Sequence, residues 1–155
     1  MRKIKNIIYA LALAGIVLLG YFFWRSLQPV EIVAVHQMHS TSSVLVNHFP
    51  FTDKGKIHWW LDQQGTLKSH YGIPKPDDDG RFTIIVWDFG EGYKETDGYD
   101  RLCFDDLKAK ENCIEKNRIF TVENDRSNDV VFTVYDARYR LNKNGEITKL
   151  KRKSD

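Results

Sequence analysis

The chain has 155 residues, with 23 Lys and Arg against 21 Asp and Glu, a formal net charge of +2, and two cysteines. This balance offers no clearly basic surface, which argues against nucleic acid as a partner. Once an apolar N-terminal stretch is set aside, the length suffices for one compact domain and not for two.

Residues 7–24 carry no charge and follow Arg2, Lys3 and Lys5. As a helix rising about 1.5 Å per residue they span roughly 27 Å, close to the roughly 30 Å hydrocarbon core of a bilayer. The segment is read as a transmembrane helix, which makes the lipid bilayer a partner through residues 7–24. Tyr21, Trp24 and Arg25 at its end read as membrane-interface anchors, because amphipathic aromatic rings settle at headgroup level. A cleaved signal peptide is the competing reading. The Ala-x-Ala patterns at Ala10 to Ala12 and Ala12 to Ala14 lie inside the apolar run, however, and bulky aromatics follow it. No cysteine follows the run, so a lipoprotein anchor does not fit either.

The basic tail 1–6 is expected to stay in the cytoplasm, because cations flanking a membrane helix favour that side. A linker at 25–29, a domain at 30–150 and a basic tail at 151–155 then lie outside it. Beyond residue 29 there are 19 positive and 21 negative side chains, so the outer part is slightly acidic. A contact of the basic tail with headgroups or a partner is the alternative to the plainer reading of a solvated end.

Val30, Ile32 and Ala34 alternate with Glu31, Val33 and Val35 in a β-branched run that predicts a strand, and 44–46 predict a second. The polar stretch 37–43 between them reads as the loop of a hairpin. Thr52 is placed to cap a helix with Asp53 in its first turn. Ile57, Trp60, Leu61, Leu67 and Tyr71 recur at helical spacing, and Gly72 with Pro74 ends the run. Gly55 and Gly65 weaken this helix from within. Asp77, Asp78, Asp79 and Gly80 read as a turn. Residues 82–87 are apolar on both alternating faces, as in a strand covered on both sides. Strands at 119–122 and 130–135 follow, then a hairpin with arms 138–141 and 146–150 about a turn at 142–145. The expected fold is α+β: one N-terminal transmembrane helix, then a small domain with a mainly antiparallel sheet and one main helix.

Cys103 and Cys113 fall in the outer part, where an oxidising compartment closes such a pair into a disulfide. Zinc would require more ligands. The acid-rich, tyrosine-rich loop 88–101 supplies the candidate partner-binding residues Asp88, Glu91, Tyr93, Asp97, Tyr99, Asp100 and Arg101. Its spacing does not match an EF-hand calcium loop, and Asp88-Phe89-Gly90 lacks the other kinase elements. The alternative is a solvated loop whose glycines make turns. His36, His39 and His48 are a remote metal set, and nothing requires them to meet. No nucleophile with a base is visible, and almost any two acids would serve as a glycosidase pair, so that pattern selects nothing. Trp59, Trp60 and Trp87 read as core aromatics before they read as a sugar platform. No catalytic residue, metal site or cofactor is assigned.

Several strings carry a resemblance. They are Pro29-Val30-Glu31-Ile32-Val33-Ala34-Val35-His36, Asn47-His48-Phe49-Pro50-Phe51-Thr52-Asp53-Lys54-Gly55-Lys56-Ile57 with Trp59-Trp60, Trp87-Asp88-Phe89-Gly90-Glu91-Gly92-Tyr93-Lys94, Arg101-Leu102-Cys103-Phe104-Asp105-Asp106, and Asn112-Cys113-Ile114-Glu115-Lys116-Asn117. Together they resemble the enterobacterial inner-membrane family named domain of unknown function 943, over nearly the whole chain. The resemblance implies a single-pass inner-membrane protein with a periplasmic domain. It brings no catalytic or ligand residues with it.

The expected function is that of a membrane-anchored periplasmic module that binds a protein, in one form an immunity protein against a toxin acting in the envelope. The step to immunity is an analogy with other small anchored periplasmic proteins. A structural or assembly role in an envelope complex is the alternative, with Ala10 and Ala14 on one helix face permitting close helix approach. An envelope hydrolase ranks third. A tail of about six residues offers no domain for inward signalling.

Overall fold

The computed structural model describes residues 1–151, so all of the expected basic tail except Lys151 lies outside the described residues. Helix α1 spans Arg2–Ser26 and contains the whole uncharged run. None of its residues is buried by the described part of the chain. An apolar helix of this length with no protein around it is suited to cross a bilayer, where lipid takes the place of a core. Tyr21 and Trp24 lie at its end with ring centroids 6.3 Å apart. Arg25 turns back to the domain, its guanidinium 3.1 Å from Nδ1 of His48 and over the ring of Phe51.

Strands β1 (Glu31–Met38) and β2 (Thr41–Asn47) form the expected antiparallel hairpin. The strands run further into the polar stretch than expected, because Met38 pairs with Thr41 and leaves only His39 and Ser40 as the turn. His39 takes a positive φ of 54° there. Helix α2 (Asp53–Tyr71) starts at Thr52, whose Oγ1 accepts a hydrogen bond from the amide of Gly55 at 3.0 Å. It ends at Gly72, in the left-handed region at φ 64°, with the amides of Gly72 and Ile73 returning to the carbonyls of Lys68 and Leu67. Gly55 has a packing reason within the helix. A Cβ there would meet Pro50 Cβ and Thr52 Oγ1 at 2.9 Å. Tyr71, counted on the apolar face from its spacing, is exposed, while Trp59 joins Ile57, Trp60 and Leu67 in the core.

Strand β3 (Thr83–Asp88) returns parallel to β2, so α2 is the crossover of a β-α-β unit. Strands β6 (Arg118–Asn124), β7 (Val130–Val134), β8 (Ala137–Leu141) and β9 (Ile147–Leu150) follow as antiparallel neighbours, after a short pair, β4 (Arg101–Cys103) and β5 (Cys113–Glu115). Among the described residues the main sheet has the order β1-β2-β3-β6-β7-β8-β9, and β2 with β3 is its one parallel pairing. The expected α+β fold with a mainly antiparallel sheet is what the chain adopts.

Period-two alternation sends the apolar side chains of the sheet to both faces. Val44, Val46, Ile84, Val86, Phe120, Val122 and Phe132 meet α2 on one face. Leu45 points the other way, into a second cluster with Phe104 and Ile114, and Trp87 packs beside it. The sheet therefore needs a cover on its second face, and residues 89–117 provide it.

Candidate functional site

The excursion from β3 to β6 is a flap held to the sheet by its own apolar residues. Phe89, Tyr93, Leu102, Phe104, Leu107 and Ile114 pack with Leu45 and Trp87. The indole nitrogen of Trp87 donates to Ser43 Oγ at 3.2 Å, so the tryptophan is a packed group of the sheet. Trp59 and Trp60 are core residues of α2 in the same sense.

Two features stiffen the flap. Cys103 and Cys113 stand opposite each other in the β4–β5 register and form a disulfide. Lys94 and Cys113 exchange backbone hydrogen bonds of 2.7 and 3.0 Å, which binds the preceding loop to the same hairpin.

A polar layer lies above this framework. The Arg101 side chain, only 8% exposed, pairs with Asp97, reaches Glu115 Oε1 at 3.2 Å and donates to the carbonyl of Glu95 at 2.9 Å. Lys94 bridges Glu91 and Glu115, Lys110 pairs with Glu95 at 2.9 Å, and Lys116 pairs with Asp100. The hydrogen bond from Lys94 lowers the pKa of Glu91, and that from Arg101 lowers the pKa of Asp97. Tyr99 projects from this layer 74% exposed, its ring centroid 5.6 Å from the Arg101 guanidinium carbon.

Of the seven candidate partner-binding residues, Glu91, Asp97, Tyr99, Asp100 and Arg101 share this outer layer. Tyr93 does not, because its hydroxyl points inward to Nε2 of His36 at 2.7 Å. Asp88 closes β3 and accepts from Asn117 Nδ2 at 3.3 Å, apart from the ion pairs of the flap. The loop that reads as acid-rich is internally paired, because Lys94, Arg101, Lys110 and Lys116 return its charge.

The structure also assembles a group that sequence reasoning did not single out. Nδ1 of His36 lies 2.8 and 2.9 Å from the carboxylate oxygens of Asp106, and the ring stacks on Phe104 at 3.9 Å between centroids. A carboxylate at Nδ1 and a hydroxyl at Nε2 suit the tautomer in which Nδ1 donates to Asp106 and Nε2 accepts from Tyr93. Burial, reinforced by Asp106, raises the pKa of Tyr93 and keeps it a neutral donor. A cavity of about 230 Å3 adjoins this chain, bordered by His36, Leu102, Phe104 and Asp106. His36, Tyr93 and Asp106 come from β1 and from two parts of the flap, and no local pattern marks them in advance. Of the other histidines named as a remote metal set, His39 sits in the β1–β2 turn and His48 faces Arg25. Among the described residues no three His, Cys, Asp or Glu side chains converge as metal ligands would.

No curated protein and no solved structure matches the chain. The model of a family described as enterobacterial putative membrane protein (DUF943) matches residues 1–151, and the chain belongs to that family.

Proposed function

We propose that the chain is a protein-binding module tethered to the bacterial inner membrane, with its N-terminus in the cytoplasm and its sheet domain in the periplasm. Binding, in this reading, replaces catalysis. The observation that carries it is the exposed Tyr99 resting on the immobilised Arg101, in a flap stiffened by a disulfide and by backbone pairing. A tyrosine held on a rigid support buries large area against a partner at little entropic cost, and Tyr and Arg dominate interface energetics. The paired acids around it, Asp97, Glu91 and Asp100, form a polar rim that selects by charge complementarity. The immunity role is one form of this reading, in which the partner is a toxin acting in the envelope.

Crosslinking of the full chain in native membranes tests the reading. A protein captured by the wild type, lost with Tyr99→Ala and kept with Lys143→Ala in the distant β8–β9 turn supports it. Identical capture by all three sinks it. Protection of cells against a co-expressed envelope toxin, abolished by Tyr99→Ala, tests the immunity form. An alkaline phosphatase fused after residue 151 reads the orientation, with activity expected only if that end is periplasmic.

A further inference from the structure

Where α1 meets the domain, a cavity of about 210 Å3 is bordered by Arg25, His48, Phe51, Lys56, Asp88 and Tyr135. Arg25 directly follows the apolar run, so a bilayer-spanning α1 sets this cavity at the depth of the lipid headgroups.

Lys56 is the unusual member of the set. It lies in the first turns of α2 and is 2% exposed. Its Nζ donates to the carbonyl of Ile119 at 3.1 Å and stands 4.3 Å from the ring centroid of Tyr135. Among the described residues no carboxylate pairs with it. Asp53 lies near enough to attract it, but the Asp53 carboxylate accepts from the hydroxyl of Tyr139 at 2.7 Å. A buried ammonium without an anion is costly, and burial lowers its pKa. The site therefore holds a buried lysine with no carboxylate in direct contact.

Tyr135 opens the two-residue β7–β8 turn, which carries its ring to the cavity. Phe51 and Tyr135 also expose their rings at the rim, as side chains meeting the interfacial layer do.

We propose that this cavity binds the headgroup of an aminophospholipid, with the phosphodiester held between Arg25 and Lys56. The phosphate supplies the anion that Lys56 lacks, and Arg25 offers the forked donors that suit phosphate oxygens. Asp88 is the one carboxylate of the cavity and takes the ammonium of the headgroup. Phe51 and Tyr135 rest at the boundary with the acyl chains.

Native mass spectrometry of the full chain in detergent tests the assignment, with phosphatidylethanolamine and phosphatidylglycerol added in equal amounts. The wild type is expected to retain the ethanolamine lipid in preference, with at least tenfold less adduct for Lys56→Met and for Arg25→Gln. Asp88→Asn is expected to move the preference towards phosphatidylglycerol. Equal adducts on the wild type and both cation variants overturn the site. Preference of the wild type for phosphatidylglycerol, or no change with Asp88→Asn, overturns the ammonium assignment. Displacement of the lipid by millimolar inorganic phosphate overturns the lipid as occupant in favour of the free ion. Lys56→Met exchanges a buried charge for an apolar side chain of similar size, so its melting temperature is expected to hold. Should that variant fail to fold, the partly exposed Arg25→Gln decides the matter.

Discussion

Arg101 and Glu115 are cross-strand partners at one end of the β4–β5 pair, and Nε of the first meets Oε1 of the second at 3.2 Å. The same guanidinium holds Asp97 and the Glu95 carbonyl, so one side chain gathers three separate points of the flap. Arg101→Ala is expected to loosen residues 89–117 and to raise their cleavage rate in limited proteolysis, leaving the β6–β9 region protected. Arg101→Lys is expected to restore little, because an ammonium lacks the planar fork that reaches Glu115 and Glu95 together. An unchanged cleavage pattern would show that the other ion pairs suffice.

The disulfide closes a loop between cysteines ten positions apart. In the chain-entropy model its removal costs about 3 kcal/mol. The double variant Cys103→Ala with Cys113→Ala is expected to lower the denaturation midpoint accordingly, and reduction of the wild type should reproduce the shift. Each measurement checks the other, since cavity formation at the buried Cys113 affects only the variant.

Acid is expected to weaken the flap. Glu91 and Asp97 have lowered pKa values in the folded chain, through Lys94 and Arg101 respectively. Their contribution is complete above the unfolded carboxylate values of about 4, and it is lost as pH falls through the lowered folded values. Melting curves between pH 7 and pH 2 should show this loss, and Asp97→Asn should remove part of the slope. A slope untouched by the substitution would assign the acid sensitivity to other groups.

At the start of α2, helix propensity and packing oppose each other. Gly55→Ala introduces the better helix former, yet its Cβ would meet Pro50 Cβ and Thr52 Oγ1 at 2.9 Å. The expected outcome is destabilisation by about 1–3 kcal/mol, as for other overpacked sites. Gly65→Ala, with open space around the glycine, is expected to stabilise by roughly 0.5–1 kcal/mol. Thr52→Ala should cost about 1 kcal/mol through the lost cap. Chemical denaturation of the three variants reads the contrast, and a stabilising Gly55→Ala would refute the packing argument.

Local chemistry made much of the fold legible. The cap at Thr52, the stop at Gly72 and the hairpin about Gly145 each depend on a few adjacent residues, and each stands where its residues point. The two-faced apolar pattern of 82–87 similarly foretold a strand covered on both sides. What covers the second face was not legible, because β4 and β5 are three residues each, too short to show a period. The parallel pairing of β2 with β3 joins Val44 to Val86 across an intervening helix, and no adjacent residues encode it. His36 meets Asp106 and Tyr93 at sequence separations of 70 and 57, with the same result. In the candidate surface, acids and tyrosines were readable as types. Which cation answers each acid depends on the β4–β5 register, and only the folded hairpin supplies it.

Four residues, Leu27, Gln28, Pro29 and Val30, separate the end of α1 from the start of β1. Fully extended they reach about 14 Å, and Arg25 shortens even that by bonding to His48. With α1 in a bilayer, the leash is too short for the domain to leave the membrane surface. Its encounters are confined to a thin sheet of solvent over the membrane, where the effective concentration of anything embedded or adsorbed is raised and that of anything freely dissolved is not. A ligand that itself arrives at the membrane meets this domain by lateral diffusion in two dimensions.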